Sequence, residues 1–404
     1  MGSSSGKLAR RREHSLWLVL VLGLLMSFGA LSTDVYLPAL PAMRDALRAS
    51  QGSMELTLSG YLAGFSLGQL LWGPVGDRYG RRGPIAAGLL LFVAGSIGCA
   101  LSANPAQLIG WRVVQAVGAC AAPVLARAMV RDLFPRDRAA QILSTLITVM
   151  AVAPLLGPTL GGQILVFASW RAIFYLLAAL GIVAALALLT IPESLPSDRR
   201  SGTGMRAALS GYGELVRDRQ LLSYALAGAL FYGGFFAYIA GSPFAYMTVY
   251  NVSPQRYGLL FALGVLGVMA SNIINIRAVP RFGSDQVLRA GASAAAIAGV
   301  WTTVAGLTGI GGLPGLMIPL RLYVGTSGFI IANSIAGALQ PHAQRAGTAS
   351  ALVGAIHFGS GVFSTALVGS LADGTPGPMA WIIGAAGIGS AIIALGMIDR
   401  AGPS

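Results

Sequence analysis

Residues 73–82, with the sequence GPVGDRYGRR, join two long apolar stretches at 53–73 and 84–101. Each stretch is close to the ~20 residues that a helix needs to cross the hydrocarbon core of a bilayer. The glycines of the connecting segment permit a tight turn and a close approach between helices, and its arginines favour a position at a membrane surface. The segment therefore predicts a charged turn between two membrane-spanning helices.

The same alternation of apolar stretch and short polar connector extends along the 404 residues, of which 55% are hydrophobic and only 10% charged. Soluble domains carry about 25% charged residues, so we expect lipid to be the solvent of this chain. We predict an all-α integral membrane protein with 12 transmembrane helices in two pseudo-symmetric six-helix bundles. The predicted spans, numbered 1 to 12 in chain order, are 16–38, 53–73, 84–101, 106–130, 139–163, 170–191, 220–247, 256–279, 287–309, 314–337, 346–370 and 378–398.

Positive charge is distributed unevenly between the connectors. Twelve spans place both termini on one side, and the connectors of that side carry twenty of the 27 Lys and Arg residues, against four on the opposite side. Because positive connectors resist translocation, this bias predicts cytoplasmic termini and a cytoplasmic central linker. The net charge of +13 is thereby explained by topology and does not indicate nucleic-acid binding.

The longest connector divides the chain into two halves of six spans each. It is rich in Pro, Ser, Gly and charge, which is typical of a linker. The predicted organisation is a cytoplasmic N-terminal tail at 1–15, an N-terminal bundle at 16–191, a cytoplasmic linker at 192–219 and a C-terminal bundle at 220–404.

The two halves also show short internal matches. Residues 78–80 after span 2 are matched by 281–283 after span 8, and Arg112 in span 4 is matched by Arg321 in span 10. Two repeated halves that enclose a cavity at the bilayer midplane are typical of transporters.

The segment 73–82 carries a resemblance to a known family. It matches the loop signature of the major facilitator superfamily, G-x-x-x-D-[RK]-x-G-[RK]-[RK], at every defined position, namely Gly73, Asp77, Arg78, Gly80, Arg81 and Arg82. The resemblance implies the fold of that superfamily and a conformational role for the loop rather than a substrate site. Simple anchoring of positive charge is the alternative; it explains the arginines but neither Asp77 nor the glycine spacing.

Span 5 contains a second match at 153–162, with the sequence APLLGPTLGG. It resembles the G-P-x-x-G-G element that proton-coupled exporters of the superfamily carry in this span, through Pro154, Gly157, Pro158, Gly161 and Gly162. The prolines remove backbone hydrogen bonds and the glycines remove side-chain bulk, so the helix is expected to kink and to pack closely against a partner. The resemblance implies export, whereas a purely structural kink is the alternative.

Residues 31–41, followed in span 2 by 56–61 and 64–69, resemble the bicyclomycin/chloramphenicol-resistance (Bcr/CflA) type of twelve-span drug:proton antiporters. The resemblance covers most of the N-terminal half and is looser in the C-terminal half. It implies a monomer in the bacterial inner membrane that exchanges drug-like small molecules for protons by alternating access, without a cofactor.

Asp34 in span 1 is the predicted proton carrier, and Arg112 is its predicted partner. An ionised carboxylate is costly inside a membrane protein, so the charge of Asp34 should respond to hydration and to a nearby cation. A buried guanidinium is costly unless it is paired, and few other carboxylates lie within the spans. Alternatively, Asp34 is a solvated acid at the outer interface, and Arg112 binds carbonyl groups of neighbouring spans. Glu55 is a weaker candidate for the proton carrier.

The remaining cavity chemistry is expected to come from aromatic and small polar side chains. An apolar, aromatic site with a few polar contacts suits moderately lipophilic neutral compounds, although any one of these residues could serve helix packing alone. The predicted cavity residues are Tyr36, Tyr61, Phe65, Gln69 and Gln115 in the first half and Tyr232, Phe235, Phe236, Tyr238, Asn272, Arg321 and Asn333 in the second. Arg127 is expected to snorkel to the cytoplasmic interface. His357 is either a packing residue or a proton relay.

Other functions have less support in the sequence. A metabolite exporter of the same fold and a non-transporting membrane sensor remain alternatives. Catalysis is not expected because the three histidines occur in unrelated regions without a metal-binding pattern, and no nucleotide-binding P-loop is present. Cys99 and Cys120 fall within apolar spans and are expected to be packing residues.

Overall fold

The computed structural model describes residues 3–200 and 211–396, and within these residues every predicted span is a helix. The names span 1 to span 12 are kept for these helices. Ten of them are apolar and long enough to cross a membrane by length and composition alone. Their bounds are Ser3–Asp34, Gln51–Tyr79, Arg82–Leu101, Pro105–Leu133, Arg136–Phe167, Arg171–Leu189, Arg219–Pro243, Pro254–Phe282, Ser284–Thr308, Gly312–Gly325 continued by Ser327–Leu339, Ala346–Ser370 and Gly377–Gly396.

Span 1 is interrupted at Asp34. The regular helix ends there and is followed by a 3₁₀ turn at Leu37–Ala39 and a short helix at Leu40–Ala46. Pro38 has no N–H to donate to the carbonyl of Asp34, and its ring would clash with that carbonyl in a continued helix. The chain therefore leaves the helical path immediately after the predicted proton carrier.

Two spans of the second half are also irregular, which their apolar sequences did not indicate. Span 7 ends in a π-helical turn at Phe244–Val249. Span 10 is broken at Thr326, whose hydroxyl donates to the carbonyl of Tyr323 at 2.7 Å. Such a side-chain bond competes with the helical backbone hydrogen bonds and favours a local break.

The two six-span halves meet mainly along two helix pairs, span 2 with span 11 and span 5 with span 8. Span 2 corresponds to span 8, and span 5 to span 11, so a two-fold rotation that exchanges the halves converts one pair into the other. The turns after spans 2 and 8 are also alike, because Gly80 and Gly283 both adopt a left-handed backbone conformation, with φ of 91° and 82°. A side chain at such a φ would be strained, which explains glycine at both positions.

The predicted tail and linker are both connected to the helical bundles. The helix of span 1 begins at Ser3, so residues 3–15 of the predicted tail continue that helix. In the linker, Tyr212 donates to the carbonyl of Leu70 at 3.3 Å, and Glu214 pairs with Arg345, so this segment contacts both halves. Residues 201–210 of the predicted linker, 397–404 of the predicted C-terminal bundle and 1–2 of the tail lie outside the described residues.

Candidate functional site

A cavity of about 320 Å³ lies between the two halves. This volume falls within the range of small-molecule sites. Spans 1, 2, 4, 5, 7, 8, 10 and 11 all contribute to its wall. The predicted residues that line it are Asp34, Tyr61, Phe65, Gln69, Tyr232, Phe235, Phe236, Tyr238 and Asn272.

Aromatic rings form much of the cavity wall. The ring of Phe358 lies 4.6 Å from that of Phe65 in the first half, and 5.8 Å and 6.0 Å from those of Phe236 and Tyr232 in the second half. Offset and tilted ring pairs at these separations are favourable. Span 11 thus supplies a ring that joins the aromatic groups of the two halves into one surface, which suits a planar, apolar ligand.

Asp34 lies in the cavity wall and is only 5% exposed. The hydroxyl of Thr33 donates to its Oδ1 at 3.1 Å. Gly157 of span 5 packs against its Cβ, so that a methyl group at position 157 would lie 3.0 Å from that atom. The acid is therefore enclosed by spans 1 and 5 and faces the cavity, which is not the position of a solvated interfacial carboxylate.

The predicted ion pair between Asp34 and Arg112 is not formed in this conformation. Arg112 is fully buried, and its Nη1 donates to the carbonyl of Ser32 at 3.0 Å and to Oε1 of Gln115 at 2.5 Å. Its guanidinium lies between two tyrosine rings, 4.1 Å from that of Tyr36 and 4.2 Å from that of Tyr61. In this conformation ring faces and a carbonyl, which a spacing pattern does not reveal, contact the cation, while its Nε and Nη2 have no hydrogen-bond partner among the described residues.

Tyr61 connects the two groups that the sequence paired. The face of its ring contacts Arg112, the residue lines the cavity together with Asp34, and it interacts electrostatically with both. Its hydroxyl contacts the hydroxyl of Ser32. Arg112 and Asp34 are thus neighbours across Tyr61 and the end of span 1, without direct contact.

Four predicted cavity residues lie elsewhere. Tyr36 packs under Arg112, and Gln115 bridges Arg112 and the hydroxyl of Ser96 at 2.8 Å. Asn333 bonds to Asn275 at 2.8 Å and accepts from Ser284, so it joins spans 8, 9 and 10. Arg321 is near Tyr238, but it does not line the cavity, and its Nε and Nη2 are buried without a hydrogen-bond partner among the described residues.

The structure also adds cavity residues that the sequence did not single out, namely Met26, Arg127, Met150, Phe261, Met269 and Phe358. Arg127 corrects a prediction, because it lies in the cavity wall and does not extend to the interface. The available signal was its position within a span, where an ionisable residue is by default a functional candidate. The apolar residues had no such signal, since cavity-facing and lipid-facing side chains have the same character.

The two sides of the bundle differ in closure. We call the side at which spans 2 and 8 begin the distal side, and the side of the chain termini the terminal side. On the distal side, Gly52 packs backbone to backbone against Gly369, and the hydroxyls of Ser59 and Thr365 are 2.6 Å apart. The cavity continues from Asp34 towards the terminal side, where Arg127 lines it. The halves are therefore sealed distally.

Glu55 and His357 lie outside the cavity wall. Glu55 is fully buried near Gly369 in the distal seal, accepts from Gln51 at 2.9 Å, and has one oxygen without a hydrogen-bond partner among the described residues. His357 is 2% exposed, and its ring stacks on Tyr232 at 4.9 Å. Both are packed side chains, and Tyr232, on which His357 stacks, lines the cavity.

The span 5 element lies where span 5 contacts span 1 of its own half and span 8 of the other half. Gly161 contacts the carbonyl of Val35 in span 1, and a methyl group at Gly162 would lie 2.7 Å from the carbonyl of Pro254 in span 8. Pro154 lines the cavity. The absence of side chains at these glycines allows span 5 to approach spans 1 and 8 at backbone distance, beside Asp34 and in the distal seal.

The loop 73–82 forms a charge network at the terminal side of the N-terminal half. Arg81 pairs with Asp77 at 2.6 Å and with Asp132 of span 4 at 2.9 Å. Arg82 donates its Nη2 to the carbonyl of Leu189 at 2.8 Å. Gly76 packs against Leu125, whereas a methyl group at Gly73 would meet nothing within 4 Å. The loop therefore fastens spans 2, 3, 4 and 6 together and lies apart from the cavity.

Glu193 of the linker completes this network. Its carboxylate accepts backbone N–H groups of Arg81 at 2.8 Å, Arg82 at 3.1 Å, Ser194 at 2.9 Å and Leu195 at 3.0 Å. Partial burial raises the pKa of this carboxyl, but the four amide donors more than offset it, so that the pKa lies below its ordinary value. The linker is thereby attached to the charged loop.

Comparison with known proteins gives a consistent result. A family model described as Major Facilitator Superfamily matches residues 16–365. A bicyclomycin resistance protein homolog of Haemophilus influenzae is 30% identical over 376 residues, which cover 93% of this chain and 94% of that protein. A chloramphenicol resistance protein of Pseudomonas aeruginosa is 32% identical over 370 residues, which cover 89% and 86%. The xylose transporter XylE of E. coli has a similar fold, with a TM-score of 0.75 at 16% identity over 96% of this chain and 98% of that chain.

Proposed function

The chain belongs to the major facilitator superfamily, in its bicyclomycin/chloramphenicol-resistance (Bcr/CflA) type, and on this premise we propose that it exports small drug-like molecules in exchange for protons. It is a multi-pass transporter of the bacterial inner membrane and not an enzyme. The names of two relatives refer to resistance against bicyclomycin and chloramphenicol. These compounds are the first to test as substrates.

One observation carries the proposal: a single cavity combines an aromatic wall with an enclosed carboxylate, Asp34. The rings of Phe65, Tyr232, Phe236 and Phe358 offer apolar contact to a substrate. A carboxylate enclosed in the same wall can exist either charged or neutral, and each state favours a different occupant of the cavity.

In the proposed cycle, substrate enters from the terminal side and binds beside ionised Asp34. Closure of that side and opening of the distal side expose Asp34 to an external proton, and protonation favours substrate release. The empty protein returns with a neutral carboxyl because an uncompensated charge is costly in a sealed cavity. Tyr61 lies near both Arg112 and Asp34 and interacts electrostatically with each of them.

We place the terminal side in the cytoplasm. The arginine-rich connectors support this orientation. In this orientation the cavity, which continues towards the terminal side, accepts substrate from inside the cell. The halves at 16–191 and 220–404 are the two bodies that rock about spans 2, 5, 8 and 11. The glycine contacts of span 5 with spans 1 and 8 lie among these spans, about which the two halves move.

The experiment uses inverted membrane vesicles with an acidic interior and radiolabelled chloramphenicol. Wild-type protein is expected to accumulate the compound only while the pH gradient persists, and Asp34→Asn to abolish this accumulation. Asp45→Asn is the matched control, since Asp45 follows the same span but is 67% exposed. Gradient-dependent flux that persists unchanged in Asp34→Asn would remove Asp34 from proton coupling.

A panel of antibiotics and amino acids in the same vesicles separates the other candidate functions. Flux of amino acids alone would favour a metabolite exporter, and the shared cavity geometry would still apply. The absence of gradient-dependent flux for every compound would favour a membrane sensor and contradict the proposed function.

A further inference from the structure

Arg127 is a cation in the cavity wall. Its Nε donates to the carbonyl of Pro123 at 3.0 Å, one helical turn earlier in span 4. In the described parts of the chain no carboxylate pairs with its guanidinium, and its two terminal nitrogens have no hydrogen-bond acceptor. Arg112 contacts two rings, a carbonyl and Gln115, and its Nε and Nη2 are buried without a hydrogen-bond partner among the described residues.

The described protein groups around Arg127 compensate its charge only in part. The contents of the cavity must therefore compensate the rest. A guanidinium within a membrane-enclosed protein is costly without a counter-ion. Its fork of N–H donors matches the oxygens of a carboxylate or a similar anionic group. The cavity wall thus offers a ready site for such a group.

The two charges of the cavity lie at opposite ends. Arg112 of span 4 donates to the carbonyl of Ser32, two residues before Asp34, so Arg112 and Asp34 lie at about the same depth along the bundle. Arg127 is fifteen residues further along that span, and its side chain reaches back about one turn to Pro123. At 1.5 Å per residue, the guanidinium lies on the order of 15 Å from the level of Asp34. Tyr232, which interacts electrostatically with Arg127, lines the same cavity.

We infer that Arg127 is a substrate-recognition residue and that the cavity, which also accepts neutral compounds, binds aromatic compounds with separated charges more tightly than their singly charged analogues. Such a compound places a cationic or donor group near Asp34, its rings on the aromatic wall, and a carboxylate or other anionic group on Arg127. The inference deepens the proposed function and rests on it. A purely cationic compound would leave Arg127 uncompensated and would bind less tightly.

Norfloxacin and two derivatives provide the matched probes. Norfloxacin carries a piperazinium and a carboxylate at opposite ends of a fused aromatic ring system, its ethyl ester lacks the carboxylate, and its N-acetyl form lacks the cation. Intrinsic fluorescence of the ring system reports equilibrium binding to the purified full-length protein. Because a charged hydrogen-bonded contact is at stake, the wild type should bind norfloxacin about tenfold or more tighter than the ester.

Three variants separate recognition from structure. Arg127→Gln keeps a donor for the Pro123 carbonyl but removes the charge, and should weaken norfloxacin binding to the level of the ester without changing ester affinity. Arg127→Lys keeps the charge and should retain part of the preference. Arg277→Gln is the control, because Arg277 is exposed in span 8 and outside the cavity.

Two results would overturn the inference alone: equal affinity of the wild type for acid and ester, or an equal loss for both in Arg127→Gln, which would indicate a structural role. If none of the three compounds binds to the wild type although the vesicles accumulate chloramphenicol, the inference fails and the proposed function stands. If chloramphenicol and the rest of the panel are not transported either, both fail.

Discussion

The guanidinium of Arg112 lies 4.2 Å from the centre of the Tyr61 ring. The same tyrosine lines the cavity and contacts Ser32 through its hydroxyl. A ligand that displaces this ring therefore also changes the surroundings of a fully buried cation. This relationship gives the cavity a physical connection to Arg112 that does not require an ion pair with Asp34.

Two substitutions at Tyr61 test this connection. Tyr61→Phe keeps the ring over Arg112, whereas Tyr61→Leu removes it and should cost about 1–2 kcal/mol of cation–π stabilisation in a desolvated site. Thermal unfolding of the purified protein should therefore show a larger decrease in melting temperature for Tyr61→Leu than for Tyr61→Phe. Equal decreases would show that the ring face contributes nothing to holding the cation.

Phe358 should contribute directly to substrate affinity, because its ring joins the aromatic groups of both halves. Phe358→Ala is expected to weaken binding of an aromatic substrate about threefold to tenfold, the usual worth of such ring contacts. Phe363→Ala in the same span is the control, since Phe363 is 79% exposed. Equilibrium binding to both variants makes the comparison, and an equal effect of the two would place substrate elsewhere.

The distal seal should be weakened by a single methyl group at Gly52. Gly52→Ala places its Cβ on the carbonyl of Gly369, which must force spans 2 and 11 apart. In a Thr365→Cys background, maleimide labelling should become severalfold faster with Gly52→Ala. Gly347→Ala in span 11 is the control, because its added methyl meets nothing within 4 Å. The native Cys99 and Cys120 are buried and should stay silent; an unchanged labelling rate would contradict the seal.

Glu193 should make stability depend on pH. Its folded pKa lies below the ordinary 4.5, so its stabilising contribution is fully present above that value and is lost as pH falls towards the folded pKa. Glu193→Gln, which accepts through one oxygen only, is expected to lower the melting temperature at pH 7, with a difference from wild type that is constant down to about pH 5 and shrinks below pH 4.5. A difference independent of pH would mean that the negative charge plays no part.

The site could be predicted only in part from sequence. Asp34 and rings of the span 7 cluster lie in the cavity wall, and the sequence singled them out because a lone acid and aromatic residues stand out within an apolar span. Gln115 and Asn333 were equally conspicuous, yet they bond to neighbouring spans and do not reach the cavity. A polar side chain within a span must find a partner, but the sequence does not say whether that partner is protein or ligand.

By itself the sequence determined the twelve spans, because hydropathy, glycine and proline act locally along each helix. It also indicated the family, because the motif at 73–82 is a continuous stretch of sequence. The tertiary structure alone decided the break at Thr326, the seal between Gly52 and Gly369, and the partners of the two span 4 arginines. Arg112 is enclosed by rings and Arg127 faces the cavity although both lie in the same apolar helix. The direction of a helical side chain is set by the neighbours packed around it, and those neighbours come from distant parts of the chain.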